Sequence, residues 1–208
     1  MSSNLPKELV DSADIVAITQ LILRERESRD LQRWETMLEC FWPDSLIRVS
    51  WFKGNAEQFV NGSKDMAKRG VPAKHRLGPI LVRLAGERAI ASLAAIIDLP
   101  VNLRGIEGTL SAHARFLYRA EKRSEQWRIA GFDAYYMRDE VTPAIPGQAV
   151  PIDTKEVAAF RPTYRMLSFY LDSRGFEVDS NLPGEDRPEL VEALNREIFS
   201  WAGLPAPN

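Results

Sequence analysis

Four stretches able to form β-strands follow one another between His75 and Met137, with almost nothing between them that could form a helix. They are His75–Ala85, Arg88–Leu99, Thr109–Tyr118 and Gln126–Met137. Gly86-Glu87 makes the first link tight, and the third, Ala120 to Glu125, is short and highly charged, as a hairpin tip should be. A parallel return would need a crossover of a dozen or more residues, so strands linked this closely predict an antiparallel meander.

The half of the chain before this run reads as helical. Asp11-Ser12-Ala13-Asp14 offers capping side chains, and Ile15, Ile18, Leu21 and Ile22 recur at helical spacing, which predicts a first helix from Ser12 to Arg26. Asp30 is expected to cap a second helix carrying Leu31, Trp34, Leu38 and Phe41, stopped at Trp42-Pro43-Asp44 because proline disfavours helix at the residue before it. Leu46–Phe52 alternates as a strand, and Asn55–Arg69 reads as a helix closed at Gly70. Helices first and strands second is an α+β order. A long twisted antiparallel sheet of this kind can curl round the N-terminal helices as a cone and enclose a pocket.

Past the strands, Val141-Thr142-Pro143-Ala144-Ile145-Pro146-Gly147 reads as a linker, followed by helices over Thr163–Arg174 and Arg187–Ala202. The expected organisation is a domain over residues 1–140, a linker over 141–152 and a C-terminal helical extension over 153–208. The first extension helix carries Tyr164, Leu167, Phe169, Tyr170 and Leu171 round most of its girth, so it must be buried on two sides. One side would close the mouth of the cone and the other would grip a neighbouring subunit, which predicts a homo-oligomer, dimer or trimer; the alternative is a helix that merely packs against its own core.

Charge and composition narrow the partners. Lys plus Arg number 27 against 29 Asp plus Glu, a net charge of -2, which argues against nucleic acid because phosphate binding needs a positive surplus. The single cysteine, Cys40, cannot form an intrachain disulfide and fits a reducing compartment, and its apolar setting reads as a buried structural thiol. The N-terminus shows no basic region leading into an apolar run, and the most apolar stretch, Ala89–Leu99, falls far short of the ~20 residues a membrane helix needs. A cytoplasmic protein with no membrane partner and a small-molecule ligand is expected. No glycine-rich phosphate loop occurs, and two histidines thirty-eight residues apart make a poor metal site, so neither a metal nor a cofactor is expected.

Five local patterns, in this order and spacing, resemble the SnoaL-like branch of the nuclear transport factor 2-like superfamily. They are Asp30-Leu31-Gln32-Arg33-Trp34-Glu35, Phe41-Trp42-Pro43-Asp44, Lys74-His75-Arg76-Leu77-Gly78, Gly86-Glu87-Arg88-Ala89 and Trp127-Arg128-Ile129-Ala130-Gly131. The resemblance covers roughly Ser12 to Asp139. It implies a conical pocket and relatives such as scytalone dehydratase, bile-acid dehydratases, polyketide cyclases and a diarylpropane lyase that removes formaldehyde, beside non-catalytic binding and accessory subunits. In scytalone dehydratase-like enzymes an aspartate orients a histidine at the floor of the pocket, and Asp30 and His75 match those positions. The second pocket histidine of that enzyme falls here on Asp98-Leu99-Pro100, and a pocket tyrosine falls near Ser50-Trp51.

Histidine titrates near neutrality, and an aspartate bonded to one ring nitrogen fixes the tautomer and raises the basicity of the other. The simpler readings are that Asp30 is a helix cap and His75 a satisfied strand histidine. His113 and Arg115 share one face of a strand; on the cavity side Arg115 would stabilise an oxyanion, on the outer side both would be solvated. Arg104, near a strand end, is a candidate of the same type. Phe132 and Tyr136 share a face of the last strand, where Tyr136 would donate a proton or pack. Trp51, Phe52 and Phe59 would make the pocket apolar. The expected activity is a cofactor-independent lyase, losing water or formaldehyde from a hydroxylated, largely apolar, aromatic-type small molecule. Asp30, His75, Arg115 and Tyr136 would be its catalytic groups. The alternatives are an isomerase or cyclase of the same fold, and a non-catalytic ligand-binding or accessory subunit.

Overall fold

The computed structural model describes residues 6–207. Two helices open the chain, α1 (Lys7–Asp30) and α2 (Trp34–Glu39), followed by β1 (Phe41–Val49), β2 (Phe52–Gly54) and α3 (Ala56–Lys68). The sheet continues with β3 (Lys74–Leu77), β4 (Leu81–Ala85), β5 (Arg88–Leu103), β6 (Ile106–Arg123) and β7 (Gln126–Pro143). The extension holds α4 (Thr154–Val157), a 3₁₀ turn over Pro162–Tyr164, α5 (Arg165–Ser173) and α6 (Pro188–Ala202).

The sheet runs β2-β1-β7-β6-β5-β3, with β4 also paired to β5, and it is curved and unclosed. The long central strands form the expected antiparallel meander, from Arg88 opposite Glu121 to Arg123 opposite Gln126. β1 joins the far side of β7 in parallel, with Ile47 opposite Phe132. The stretch read as one strand from His75 to Ala85 is two, because Gly78-Pro79-Ile80 breaks it and proline cannot donate to a sheet ladder. Both pieces pair with successive segments of β5.

Side chains alternate across the long strands, so each has an inner and an outer face. On β6 the inner set is Ala112, Ala114, Phe116, Tyr118 and Ala120, all buried. On β7 it is Ile129, Phe132, Ala134 and Tyr136, kept in phase with β6 by register shifts beside Ala120 and Ala114. Helix α3 closes over this face with Phe59, Val60 and Met66 buried. Asn55 accepts the Gln58 backbone N–H and the Gln58 side chain accepts that of Asn55, a capping box that satisfies two donors at the helix start.

Three boundaries differ from the sequence expectation for physical reasons. Helix α1 runs on to Asp30, so Asp30 ends it rather than capping the next; α2 begins after Arg33 with no side-chain cap. Phe41 to Asp44 is strand, since the Phe41 ring is needed in the core and Trp42 Nε1–H reaches the Glu121 carbonyl at 2.9 Å. The expected linker at Val141–Pro143 is the end of β7, paired with Leu110, Thr109 and Gly108. Tyr164, Leu167, Tyr170 and Leu171 of the extension are buried in the same hydrophobic core as the inner sheet face. Helix α6 lies on the outer face, where Leu194, Ile198, Phe199 and Ala202 bury Ile90 and Leu117.

Candidate active site

The C-terminal end of α1 faces the start of β3, and this brings Asp30 to His75. Asp30 Oδ1 lies 2.6 Å from His75 Nδ1, and Asp30 Oδ2 accepts the His75 backbone N–H at 2.7 Å. A carboxylate only accepts, so Nδ1 carries the imidazole proton and Nε2 presents a lone pair. Burial pushes the Asp30 carboxyl up, but its bonds to His75 outweigh that and hold it below the usual carboxylate range. For His75, burial pushes the imidazole pKa down; Asp30 opposes this, while the charge of Arg26 adds to it. The pair therefore rests as an ionised aspartate and a neutral imidazole near neutral pH.

His75 lines a small cavity of about 40 Å³ together with Arg26, Arg29, Trp51, Phe59 and Phe132. Its walls are completed by residues from every layer, including Ile97 and Leu99 of β5, Phe116 of β6 and Leu167 and Leu171 of α5. Trp51 stacks on Phe59 at 5.6 Å, and Phe132 stands edge-on to Phe59 at 6.2 Å. His75 and Arg26 also line a wider groove of about 530 Å³ outside the cavity, with Asp30, Leu23, Leu31 and Leu77. The imidazole is thus approached from two sides, one enclosed and apolar, one open.

Residues 10–133 match the family model described as a SnoaL-like domain, more than half of the chain. The chain belongs to the SnoaL-like family. Among its relatives, a PEP2-like protein of Fusarium vanettenii is 27% identical over 204 residues, covering 90% of this chain and 87% of that one. Among solved structures, a hexachlorocyclohexane dehydrochlorinase of Novosphingobium barchaimii superposes with a TM-score of 0.55 at 16% identity, over 70% of this chain and 100% of that one. A candidate scytalone dehydratase of Novosphingobium aromaticivorans gives a TM-score of 0.52 at 14% identity, over 68% and 95%. These likenesses show a common fold.

The other sequence-predicted residues of this SnoaL-like chain divide between the cavity and elsewhere. Trp51, Phe59, Phe132 and Tyr136 line the cavity. The buried Tyr136 hydroxyl accepts the Ser50 backbone N–H at 2.9 Å, which leaves its own proton to donate; burial pushes its pKa up to about 12. Phe52 packs on Phe59 at 5.4 Å but faces a separate groove between β1–β2 and the extension.

Arg115, His113 and Arg104, expected at the site, lie outside the lining of this cavity. Arg115 alternates with the inner residues Ala114 and Phe116 and shares the outer face with Leu117, against which α6 packs, so it cannot reach an oxyanion in the cavity. His113 shares that outer face and stands 3.5 Å from Glu140. Arg104 sits in the β5–β6 turn with a left-handed φ of 55° and anchors the extension, donating to the Pro151 carbonyl at 2.7 Å and to Glu156. Across Asp98-Leu99-Pro100, where the resemblance places a second histidine, the Asp98 carboxylate points outward to Arg76 and Ser111, while Leu99 faces the cavity beside Ile97.

The cavity also holds charges that the sequence reading missed. Glu25 is fully enclosed, and Arg26 and Arg29 are 3% and 4% exposed. Arg26 Nε donates to Glu25 at 2.5 Å and a second nitrogen reaches the other Glu25 oxygen. The Tyr118 hydroxyl donates to Glu25 at 3.3 Å. The remaining guanidinium nitrogen of Arg26 stands 3.5 Å from His75 Nε2. The signal was present in the sequence. Ile18, Ile22, Glu25, Arg26 and Arg29 fall on one helical face, so the apolar stripe that starts at Ile18 continues in charged residues.

Proposed function

We propose that this SnoaL-like protein is a lyase that eliminates water, or another small leaving group, from a hydroxylated and largely apolar small molecule. His75 acts as the proton-transfer group and Asp30 orients it. The observation that carries this reading is the 2.6 Å contact between Asp30 and His75 in the wall of an apolar cavity. Two structural neighbours of low identity carry names that denote eliminations, one of water and one of hydrogen chloride.

In the reaction, Nε2 of neutral His75 takes a proton from carbon. The C–H electron pair becomes the new C=C bond, and the bond to the leaving hydroxyl breaks with its electron pair. The imidazolium returns the proton to the departing oxygen, so water leaves and the enzyme is regenerated. Every step uses groups already in place, so no metal or organic cofactor is required. The aromatic wall of Trp51, Phe59 and Phe132 suits a flat, apolar substrate.

The test is an activity screen with mass-spectrometric detection. The protein is incubated in chelator with a panel of hydroxylated aromatic and alicyclic compounds, beside His75→Ala. Products lighter by water, or by formaldehyde, formed by the wild type and not by the variant are expected. Products formed equally by both would overturn the assignment of His75.

A further inference from the structure

The elimination described above leaves two buried cations in the cavity without a task. Arg26 and Arg29 lie three residues apart on the inner face of α1, and both line the cavity beside His75. Arg26 is only partly satisfied. Two of its nitrogens are committed to Glu25, but the third has just the 3.5 Å approach to His75 Nε2, beyond the normal N–H···acceptor range. Arg29 is less satisfied still. Among the described residues no carboxylate lies within ion-pair distance of it; its guanidinium meets Met66 Sδ at 4.0 Å and the Trp34 ring at 5.9 Å.

A guanidinium removed from water without a counter-charge is costly, and the penalty is recovered when an anion enters beside it. The surroundings direct where that anion would sit. Phe132, Phe116 and Phe59 present their rings to Arg26 at 4.9, 5.9 and 5.9 Å, so the cation is held by aromatic faces that offer no hydrogen-bond acceptor. Glu25, fixed by Tyr118, orients Arg26 from behind. The free nitrogen of Arg26 thus faces His75 Nε2, and Arg29 lines the same cavity.

We infer that Arg29 and the free nitrogen of Arg26 form an oxyanion receptor, and that the substrate carries a carbonyl-type oxygen next to the proton His75 removes. The inference rests on the lyase reading and names its substrate class. The shared chemistry is a negatively charged oxygen on an sp² carbon. It is either a standing carboxylate or a charge that develops on an enolate oxygen, which takes up charge as the C–H pair is released and gives it back when the new C=C bond forms and the hydroxyl leaves. Preformed donors at that point stabilise the charge where it appears. Glu25 is a positioning residue for Arg26.

Two probes separate the sources: acetate for a standing carboxylate, and 4-nitrophenol for an oxygen acid whose ionisation is seen directly in its absorbance. The full-length chain is titrated with 4-nitrophenol at a pH where the free compound is chiefly protonated. The bound compound is expected to absorb as phenolate. Arg29→Met should weaken its binding by about tenfold or more, the value of one lost charge-assisted hydrogen bond. Glu25→Gln/Arg26→Met, which removes the ion pair as a unit and leaves no orphaned charge, should do the same. Arg29→Lys should recover part of the loss, and circular dichroism checks that each variant is folded. Competition by acetate assigns a standing carboxylate; no competition assigns a developing charge; either supports the receptor. His75→Ala should still bind the phenolate, so loss of activity in that variant tests the lyase reading separately. Binding of the neutral phenol, no binding at all, or affinity unchanged in both folded cation variants would overturn the receptor.

Discussion

Asp30 grips His75 by two bonds from the two oxygens of one carboxylate, one to the ring at 2.6 Å and one to the backbone N–H at 2.7 Å. The second bond fixes the Asp30 carboxylate against the strand start, so the ring meets an oxygen that is already oriented. This double contact makes the pair testable by a substitution that separates position from chemistry. Asp30→Asn keeps an oxygen for the backbone N–H, but its amide offers an N–H to Nδ1 and favours the proton on Nε2. The lone pair that removes the substrate proton is then lost. Turnover should fall by about 10²–10⁴-fold in a variant that circular dichroism shows to be folded. His75→Ala should lose at least as much. Full turnover in either variant, measured on whichever panel compound the wild type converts, would remove the pair from the mechanism.

The pH profile follows from the resting charges. His75 works as a base only when neutral, and burial together with Arg26 holds its pKa below the ordinary 6.5. kcat/KM should therefore be flat through neutrality and fall on an acid limb centred below 6.5. Stability moves the same way. The unfolded chain takes up the His75 proton more readily than the folded one, so stability is full above 6.5 and declines as pH drops through that value. Asp30, held below its ordinary 3.8, adds a second loss at still lower pH. A midpoint of the acid limb above 6.5 would contradict a buried, cation-flanked imidazole.

Much of the sheet was legible in local sequence, because hairpins advertise themselves. The Gly86-Glu87 and Ser124-Glu125 turns adopt left-handed φ at Gly86, Ser124 and Glu125, and the strands beside them alternate in polarity. What was hidden depends on partners remote in the chain. The parallel pairing of β1 with β7 joins residues more than eighty apart, and no local signal records it. The burial of Arg26 and Arg29 likewise contradicts their composition, since charged residues are rarely enclosed without a reason. Reading α1 as ending at Arg26 cut the charged face in two and hid its continuity with Ile18 and Ile22. The face taken by Arg115 was undecidable from β6 alone; alternation says which residues travel together, not which set turns inward.

Tyr136→Phe separates packing from hydrogen bonding on the last strand. The ring is buried beside Tyr164, with centroids 5.3 Å apart, and phenylalanine preserves that contact. What is lost is the acceptor for the Ser50 backbone N–H, a buried donor left unpaired. The cost should be about 1–3 kcal/mol in chemical denaturation. If stability is unchanged, Ser50 has found another acceptor and the hydroxyl does not hold the β1–β2 corner.

The extension is where the expectation of a lid meets the observed packing. Leu167 and Leu171 of α5 complete the cavity wall, and Leu167 N–H is tied to Asp139 at the end of β7 at 2.8 Å. The following loop is stitched to β7, where Tyr136 N–H donates to the Pro183 carbonyl at 3.1 Å. Helix α6 covers the opposite face of the sheet at Ile90 and Leu117. One segment therefore seals both faces, and removing it exposes apolar surface on each. Deletion of residues 153–208 should abolish a cooperative thermal transition and produce strong binding of a hydrophobic dye. Leu171→Ala is the gentler probe. It should cost about 2–5 kcal/mol as a cavity-creating change while leaving the chain folded. By enlarging a cavity of only about 40 Å³ it should also raise the affinity for the bulkier members of the substrate panel. A truncated chain that melts cooperatively at the wild-type temperature, with the same near-ultraviolet circular dichroism, would show that the inner core closes without α5.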